Sequence, residues 1–138
     1  MRSAWRLRAG PAAWASLAVA AVWWWVRPFR LAIEGASMSP TLEPGDLVVA
    51  TAPRAVGAGA LVVVEHPWRS GYEMVKRVSA GPGDRVGGKL LGRDEFWVVG
   101  DSEVASTDSR SFGPVGRERI KGVVRLRYWP PGRMGWLG

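Results

Sequence analysis

The sequence predicts a mainly β fold, a small antiparallel sheet or open barrel, preceded by one N-terminal transmembrane helix. Three observations carry this expectation. Residues 9–26 hold no charged side chain. Beyond Arg30 the apolar residues fall in short, largely β-branched runs separated by Gly, Pro and Asp. No window in that region sustains a 3.6-residue period over the length of a globular helix, and no internal repeat is present. With 138 residues, 47% of them hydrophobic, the chain has room for one compact domain and an appendage. The expected division is residues 1–30 for an N-terminal tip and anchor, and 31–138 for a β-rich domain.

As a helix, the uncharged run Ala9 to Val26 would measure about 27 Å, close to the hydrocarbon thickness of a bilayer. Arg2, Arg6 and Arg8 precede it, and Trp23-Trp24-Trp25 closes it where an interfacial aromatic belt would lie. This pattern reads as an anchor with its N-terminus in the cytoplasm, although Arg27 and Arg30 reduce the charge asymmetry. A cleaved signal peptide is the rival, since Ala18-Val19-Ala20 fits a small-x-small cleavage pattern. That site lies inside the apolar run and before the tryptophans, which favours the anchor. No polar face runs between Pro11 and Val26, so a helix lying in the membrane surface fits less well.

The strands expected after the anchor are Leu31-Ala32-Ile33, Leu47-Val48-Val49, Leu61 to Val64, Met74-Val75 with Val78, Phe96 to Val99, and Val123-Val124 with Leu126. Pro44-Gly45-Asp46, Gly57-Ala58-Gly59, Ser70-Gly71, Gly81 to Asp84 and Gly113-Pro114 supply the turns between them. Tyr128-Trp129-Pro130-Pro131 reads as a strand end followed by an extended segment, and Trp136 is expected to pack against the body, with contact to lipid as the alternative.

Composition excludes several functions. There is no cysteine and only one histidine, so neither a disulfide framework nor a metal site is expected, and no cofactor is implied. The net charge of +7 and pI near 11.0 come from arginines spread along the chain rather than gathered in one block, which argues against nucleic acid as a partner. Gly83 to Leu90 resembles a phosphate loop, but Leu90 stands where Ser or Thr must reach magnesium and no helix follows, so that reading fails.

One stretch does suggest chemistry. In Gly35-Ala36-Ser37-Met38-Ser39-Pro40-Thr41-Leu42 a serine sits among small residues just before a proline-restrained turn, as a nucleophile open to a substrate backbone would. Ordinary turn chemistry explains the same residues. A nucleophilic serine needs a base, and His66 or a lysine could supply it. A lysine must be neutral, hence buried; lowering it from ~10.4 to about 8 takes roughly 3 kcal/mol. Met74-Val75-Lys76-Arg77-Val78 reads as a strand interior and makes Lys76 the buried candidate, whereas Lys89 and Lys121 are flanked by glycine and read as exposed.

Taken in order, Gly35 to Leu42, Gly45-Asp46, Lys76-Arg77-Val78 with Gly81-Pro82-Gly83-Asp84, Gly100-Asp101, Ser106-Thr107-Asp108-Ser109-Arg110 and Phe112 to Val115 resemble the conserved boxes of the type I signal peptidases. The resemblance runs from Gly35 to Pro131, and its specificity lies in the order and spacing of the boxes. It implies a membrane-anchored serine endopeptidase with a Ser/Lys dyad. Ser37 would be the nucleophile, with its backbone N–H in the oxyanion site; Lys76 would be the general base and Ser106 would orient the lysine amine. Arg77, Asp101, Asp108 and Arg110 would be structural, tying the loops together through ion pairs, with Arg77 on Asp101. The implied partners are the lipid bilayer and preprotein signal peptides, bound extended, with small residues before the cut. The implied location is the cytoplasmic membrane, single-pass, with the catalytic domain on the outer face.

Three departures accompany the resemblance. Gly35 stands where some members place a hydroxyl that gives a second oxyanion hydrogen bond. The segment Arg85 to Glu95 is much shorter than the insertion of larger members, and Ser102 replaces an asparagine. Short members of the superfamily act on one dedicated client, for instance nickel superoxide dismutase precursors, and that role is the alternative. A non-catalytic anchored binding module is a third, disfavoured by the presence of both Ser37 and Lys76.

Overall fold

The computed structural model describes residues 10–138. The first described element is α1 (Pro11–Val26), begun by Pro11 at its first position and ended by Arg27 in a left-handed conformation, φ 44°. None of its residues is buried against the rest of the chain, and Ser16 turns its hydroxyl back onto the Ala12 carbonyl at 3.0 Å. Its 16 residues measure about 24 Å. Among the described residues no helix is long and apolar enough to cross a membrane. The expected anchor is therefore shown only as this shorter apolar helix; Ala9, Arg2, Arg6 and Arg8 lie outside the described residues.

The β-rich part is built on β3 (Leu61–Glu65), whose Leu61-Val62-Val63-Val64 run is buried throughout. Alternate side chains leave a strand on opposite faces, and the two hydrophobic clusters divide accordingly. Leu61 and Val63 join Ile33, Met38, Leu42, Val48, Ala50 and Val124; Val62 and Val64 join Val78, Phe96, Val98, Val115, Ile120 and Val123. Covered on both sides, β3 sits at the centre of a curled sheet.

The sheet is antiparallel, in the order β1 (Phe29–Ala32), β2 (Leu47–Thr51), β9 (Ile120–Trp129), β3, β4 (Glu73–Ala80), β7 (Glu95–Val99) and β8 (Val115–Gly116), with β10 (Gly135–Trp136) on β9. The long β9 is shared: Ile120 to Val123 pair with β3, while Val123 to Trp129 pair with β2. Gly122 is required there, since a Cβ would stand 2.5 Å from the Phe29 ring and 2.9 Å from the Thr51 carbonyl.

The run that mimics a phosphate loop, a reading already rejected on its sequence, is a hairpin, β5 (Arg85–Val86) and β6 (Lys89–Leu90), turned by Gly87 and Gly88 at φ 56° and 83°. Other local expectations are corrected. After β9 the two prolines lead into a 3₁₀ turn, Pro131–Arg133, instead of an extended segment. Trp136 does not pack against the body: it is 78% exposed, at the end of the two-residue strand β10. A four-residue helix, α2 (Ser109–Phe112), was not expected; the Asp108 carboxylate caps it by accepting from the Arg110 N–H.

Candidate active site

Met74, Lys76 and Val78 share one face of β4, so the amine enters the sheet interior between two apolar side chains. Lys76 is 2% exposed. Its Nζ lies 3.0 Å from Ser106 Oγ, and it makes no ion pair among the described residues. Burial pulls its pKa below the ordinary lysine value; the nearby Asp108 carboxylate opposes this, and Arg110 adds to it.

Behind Ser106 stands Asp108, 1% exposed, whose Oδ2 accepts from the Ser106 hydroxyl at 2.7 Å and from the Gly100 N–H at 2.8 Å. Arg110 completes its shell from Nη2 at 2.6 Å, Nε at 3.0 Å and its own N–H at 3.0 Å. Burial alone would raise this carboxyl, but the Arg110, Gly100 and Ser106 hydrogen bonds outweigh it and hold Asp108 well below the usual carboxylate range. The negative charge nearest the lysine is thus balanced by a guanidinium on its far side. A hydroxyl, not a carboxylate, meets the amine.

A second ion pair joins strand to loop. Arg77 binds Asp101 through Nε at 2.8 Å and Nη2 at 2.7 Å, a bidentate fork, and Thr41 donates its hydroxyl to Asp101 Oδ2 at 2.6 Å. This pairing holds Asp101 below, and Arg77 above, their ordinary values. Strand β4, the loop after β7 and the serine loop are thereby fastened together.

The serine loop turns on Gly35, at φ +76°, which a side chain would strain. Met38 and Leu42 are buried and hold the loop on the first cluster, leaving Ser37 partly exposed between them and Gly35. Ser37 Oγ is not among the hydrogen-bond partners of the Lys76 amine. Both residues nevertheless line one cavity of about 430 Å³, walled by Leu31 to Met38 on one side and by Tyr72 to Lys76 on the other, with His66, Arg69, Ala105 and Thr107. The Ser37 N–H has no hydrogen-bond partner among the described residues, while its carbonyl accepts from the Ser102 N–H at 3.0 Å.

His66 reaches the same cavity in another role. Its ring lies 5.3 Å from Phe112 and 6.0 Å from both Trp68 and Tyr72, and its Nδ1 accepts from the Trp68 N–H at 3.2 Å. No carboxylate orients it among the described residues. Lys89 and Lys121 are exposed, the latter paired with Glu65 at 2.9 Å. Among the described residues no group of three or more His, Asp or Glu is placed to hold a metal ion.

Three contributions were not anticipated from sequence. A Cβ on Gly100 would stand 2.1 Å from Ser106 Oγ and 2.5 Å from the Ser37 carbonyl, so this glycine allows the two serine loops to cross. Thr41 bridges to Asp101. Asp46, 2% exposed, accepts from the Glu43 N–H at 3.0 Å, from Arg127 Nη1 at 3.2 Å and from Arg133 Nη1 at 3.1 Å, while Arg127 also holds the Thr41 carbonyl at 2.8 Å. Gly45-Asp46 and Gly100-Asp101 gave the only advance sign, as glycine-acid pairs at strand ends.

Comparison with known proteins adds independent findings. The family model described as signal peptidase, peptidase S26, matches residues 5–90 and 87–129. Mitochondrial ATP-independent inner membrane protease subunit 1a of Arabidopsis thaliana is 36% identical over 122 residues, covering 76% of this chain and 73% of that protein. Mitochondrial inner membrane protease subunit 2 is 29% identical in Saccharomyces cerevisiae, covering 75% and 69%, and 33% identical in Mus musculus, covering 73% and 67%.

Proposed function

We propose, since this chain belongs to the signal peptidase family S26, that it is a membrane-anchored serine endopeptidase that removes signal peptides from exported preproteins with a Ser37/Lys76 dyad. One observation chiefly supports the reading: a lysine buried to 2% exposure, bonded to a hydroxyl and unpaired with any carboxylate among the described residues, opens on the same cavity as a serine. Nothing about stability calls for such a group, since a buried amine costs free energy unless its proton leaves.

In this mechanism the extended substrate lies in the cavity between Leu31 to Ile33 and Tyr72 to Val75, adding as a strand. Neutral Lys76 accepts the Ser37 hydroxyl proton as Oγ bonds to the scissile carbonyl carbon. The carbonyl π electrons move to oxygen, and the Ser37 N–H, unpartnered among the described residues, donates to the resulting oxyanion. As the tetrahedral centre collapses, the C–N bond breaks and the Lys76 ammonium gives its proton to the leaving amine. Water then gives a proton to the same amine as its oxygen bonds to the acyl carbon; the C–Oγ bond breaks, and Lys76 returns that proton to Ser37 Oγ. Ser106 keeps the amine pointed into the cavity, and Gly35 leaves the backbone donor without the hydroxyl partner that some members carry.

The domain division follows, with residues 1–30 as tip and anchor and 31–138 as the peptidase. The anchor would be α1 together with residues before Pro11; with an N-terminus in the cytoplasm it would set the cavity on the outer face of the membrane. The names of the relatives, which place them at inner membranes, support a membrane setting.

The test is cleavage of a preprotein with an Ala-x-Ala site in detergent micelles across pH. Ser37→Ala and Lys76→Ala are expected to abolish cleavage, His66→Ala to retain it, and the wild-type rate to rise with pH toward a midpoint below the ordinary lysine value. Activity that survives Lys76→Ala but not His66→Ala would pass the base role to histidine. A wild type that leaves this substrate intact would favour a single dedicated client.

A further inference from the structure

The junction between α1 and the sheet holds a second cavity, of about 520 Å³, lined by Trp25, Arg27, Ala52, Pro53, Arg54 and Arg117. Three of the lining residues are arginines. Arg54 stacks on the Trp25 ring at 3.7 Å and donates from Nε to the Trp25 carbonyl at 2.7 Å, leaving both terminal nitrogens without an acceptor among the described residues. Among the described residues the Arg117 guanidinium donates only from Nη2, to the Pro53 and Arg54 carbonyls at 2.9 and 3.2 Å. Arg27 lies 5.6 Å from the Trp24 ring.

None of the three has a carboxylate within 4 Å among the described residues, and residues 1–9 contain no acid that could supply one. Glu118, next to Arg117, lies against Arg119 instead. Like charges gathered without a counter-charge repel, yet aromatic and backbone contacts fix two of these guanidiniums in place. The unused donors form a planar fork of the kind that matches a phosphate group.

The cavity also has a fixed address. The last carbonyls of α1 are taken up by the loop after β2, with Ala52 N–H on the Val26 carbonyl at 2.9 Å as well as Arg54 on Trp25. Trp25 lines the cavity, and Trp23 and Trp24 precede Trp25 in the same helical turn; all three are more than 60% exposed and would lie at the depth of lipid headgroups if α1 is the anchor. Resting on that anchor reading, we propose that Arg27, Arg54 and Arg117 bind the phosphodiester headgroup of an anionic phospholipid and so fix the height and tilt of the catalytic domain above the membrane.

The test reconstitutes the full-length protein into phosphatidylcholine vesicles and compares how strongly spin-labelled phosphatidylglycerol and spin-labelled phosphatidylcholine are immobilised. Catalysis plays no part in the readout, so failure of the peptidase assignment would leave it unchanged. Wild type is expected to prefer phosphatidylglycerol roughly fivefold or more, the ratio that one basic residue near an anionic surface supplies. Arg54→Gln/Arg117→Gln should bring the preference close to one, while Arg85→Gln/Arg93→Gln, equal in charge and remote, should preserve it. If the first pair fails to reconstitute, Arg27→Gln serves the same comparison. Equal losses in both pairs, or no preference in wild type, would overturn the site. Suppression by inorganic phosphate, but not by chloride of equal ionic strength, would make it a free-anion site and overturn the lipid assignment. A protein that alkaline carbonate washes from the vesicles would overturn the anchor along with it.

Discussion

At Ser106 a single hydroxyl separates a buried amine from a buried carboxylate, touching Lys76 at 3.0 Å and Asp108 at 2.7 Å. Ser106→Ala would leave the amine facing Asp108 directly, and the charged form would gain. Each unit by which the lysine pKa rises removes about tenfold of the neutral amine at any pH below it. The expected result is a fall in kcat at pH 7 of roughly tenfold or more, with recovery as pH rises. A residue that merely filled space would lower kcat alike at every pH, so the pH profile separates the two roles. Gly100→Ala tests the other close approach. Its Cβ would meet Ser106 Oγ at 2.1 Å and the Ser37 carbonyl at 2.5 Å, and the second of these is backbone that cannot rotate away. Thermal unfolding should register a loss of about 1–3 kcal/mol, and kcat should fall by about a hundredfold because both serines are displaced.

At the scale of elements, the serine loop depends on a clamp far from it in sequence. Asp46 is buried between Arg127 on β9 and Arg133 in the following turn, and both arginines also hold loop carbonyls, those of Thr41 and Pro40. Asp46→Asn would preserve shape but leave the 14%-exposed Arg127 without its counter-charge, which should cost about 3 kcal/mol in denaturant unfolding and lower kcat with little change in KM. The strands themselves were legible because short apolar runs and turn residues are local signals. Leu61 to Val64 was legible as a strand, though its burial on both faces shows only in the fold. The clamp was not legible, since nothing near Asp46 says that residues 81 and 87 positions later will fold back onto it. Nor was the Gly87-Gly88 hairpin, because strands of two residues each are too short to show an apolar alternation. Burial of Lys76 could be expected from its strand, but not the hydroxyl-carboxylate-guanidinium chain behind it, which depends on how α2 and the loop after β7 pack.

For the whole molecule, these buried groups make stability depend on pH in two separate windows. Lys76 has a folded-state pKa below its unfolded value of 10.5, so between the two the unfolded chain binds more protons than the folded one. Stability therefore rises with pH across that window, by at most about 1.4 kcal/mol per pH unit, and below it the fold carries the full cost of a buried ammonium. Asp101 and Asp108 act in the acid range. Their folded values lie below 3.8, so their ion pairs stabilise the fold above that pH, and the contribution is lost as pH falls through the folded values. Lys76→Met separates the windows, because it removes the proton without emptying the space. Denaturant unfolding of the full-length protein in micelles should show the variant more stable than wild type at pH 7, with the rise toward pH 10 flattened and the acid loss unchanged. A variant no more stable than wild type at pH 7, on a curve of unchanged shape, would mean that the amine is already at ease where it lies. The case for a base held neutral at the expense of the fold would then fail with it.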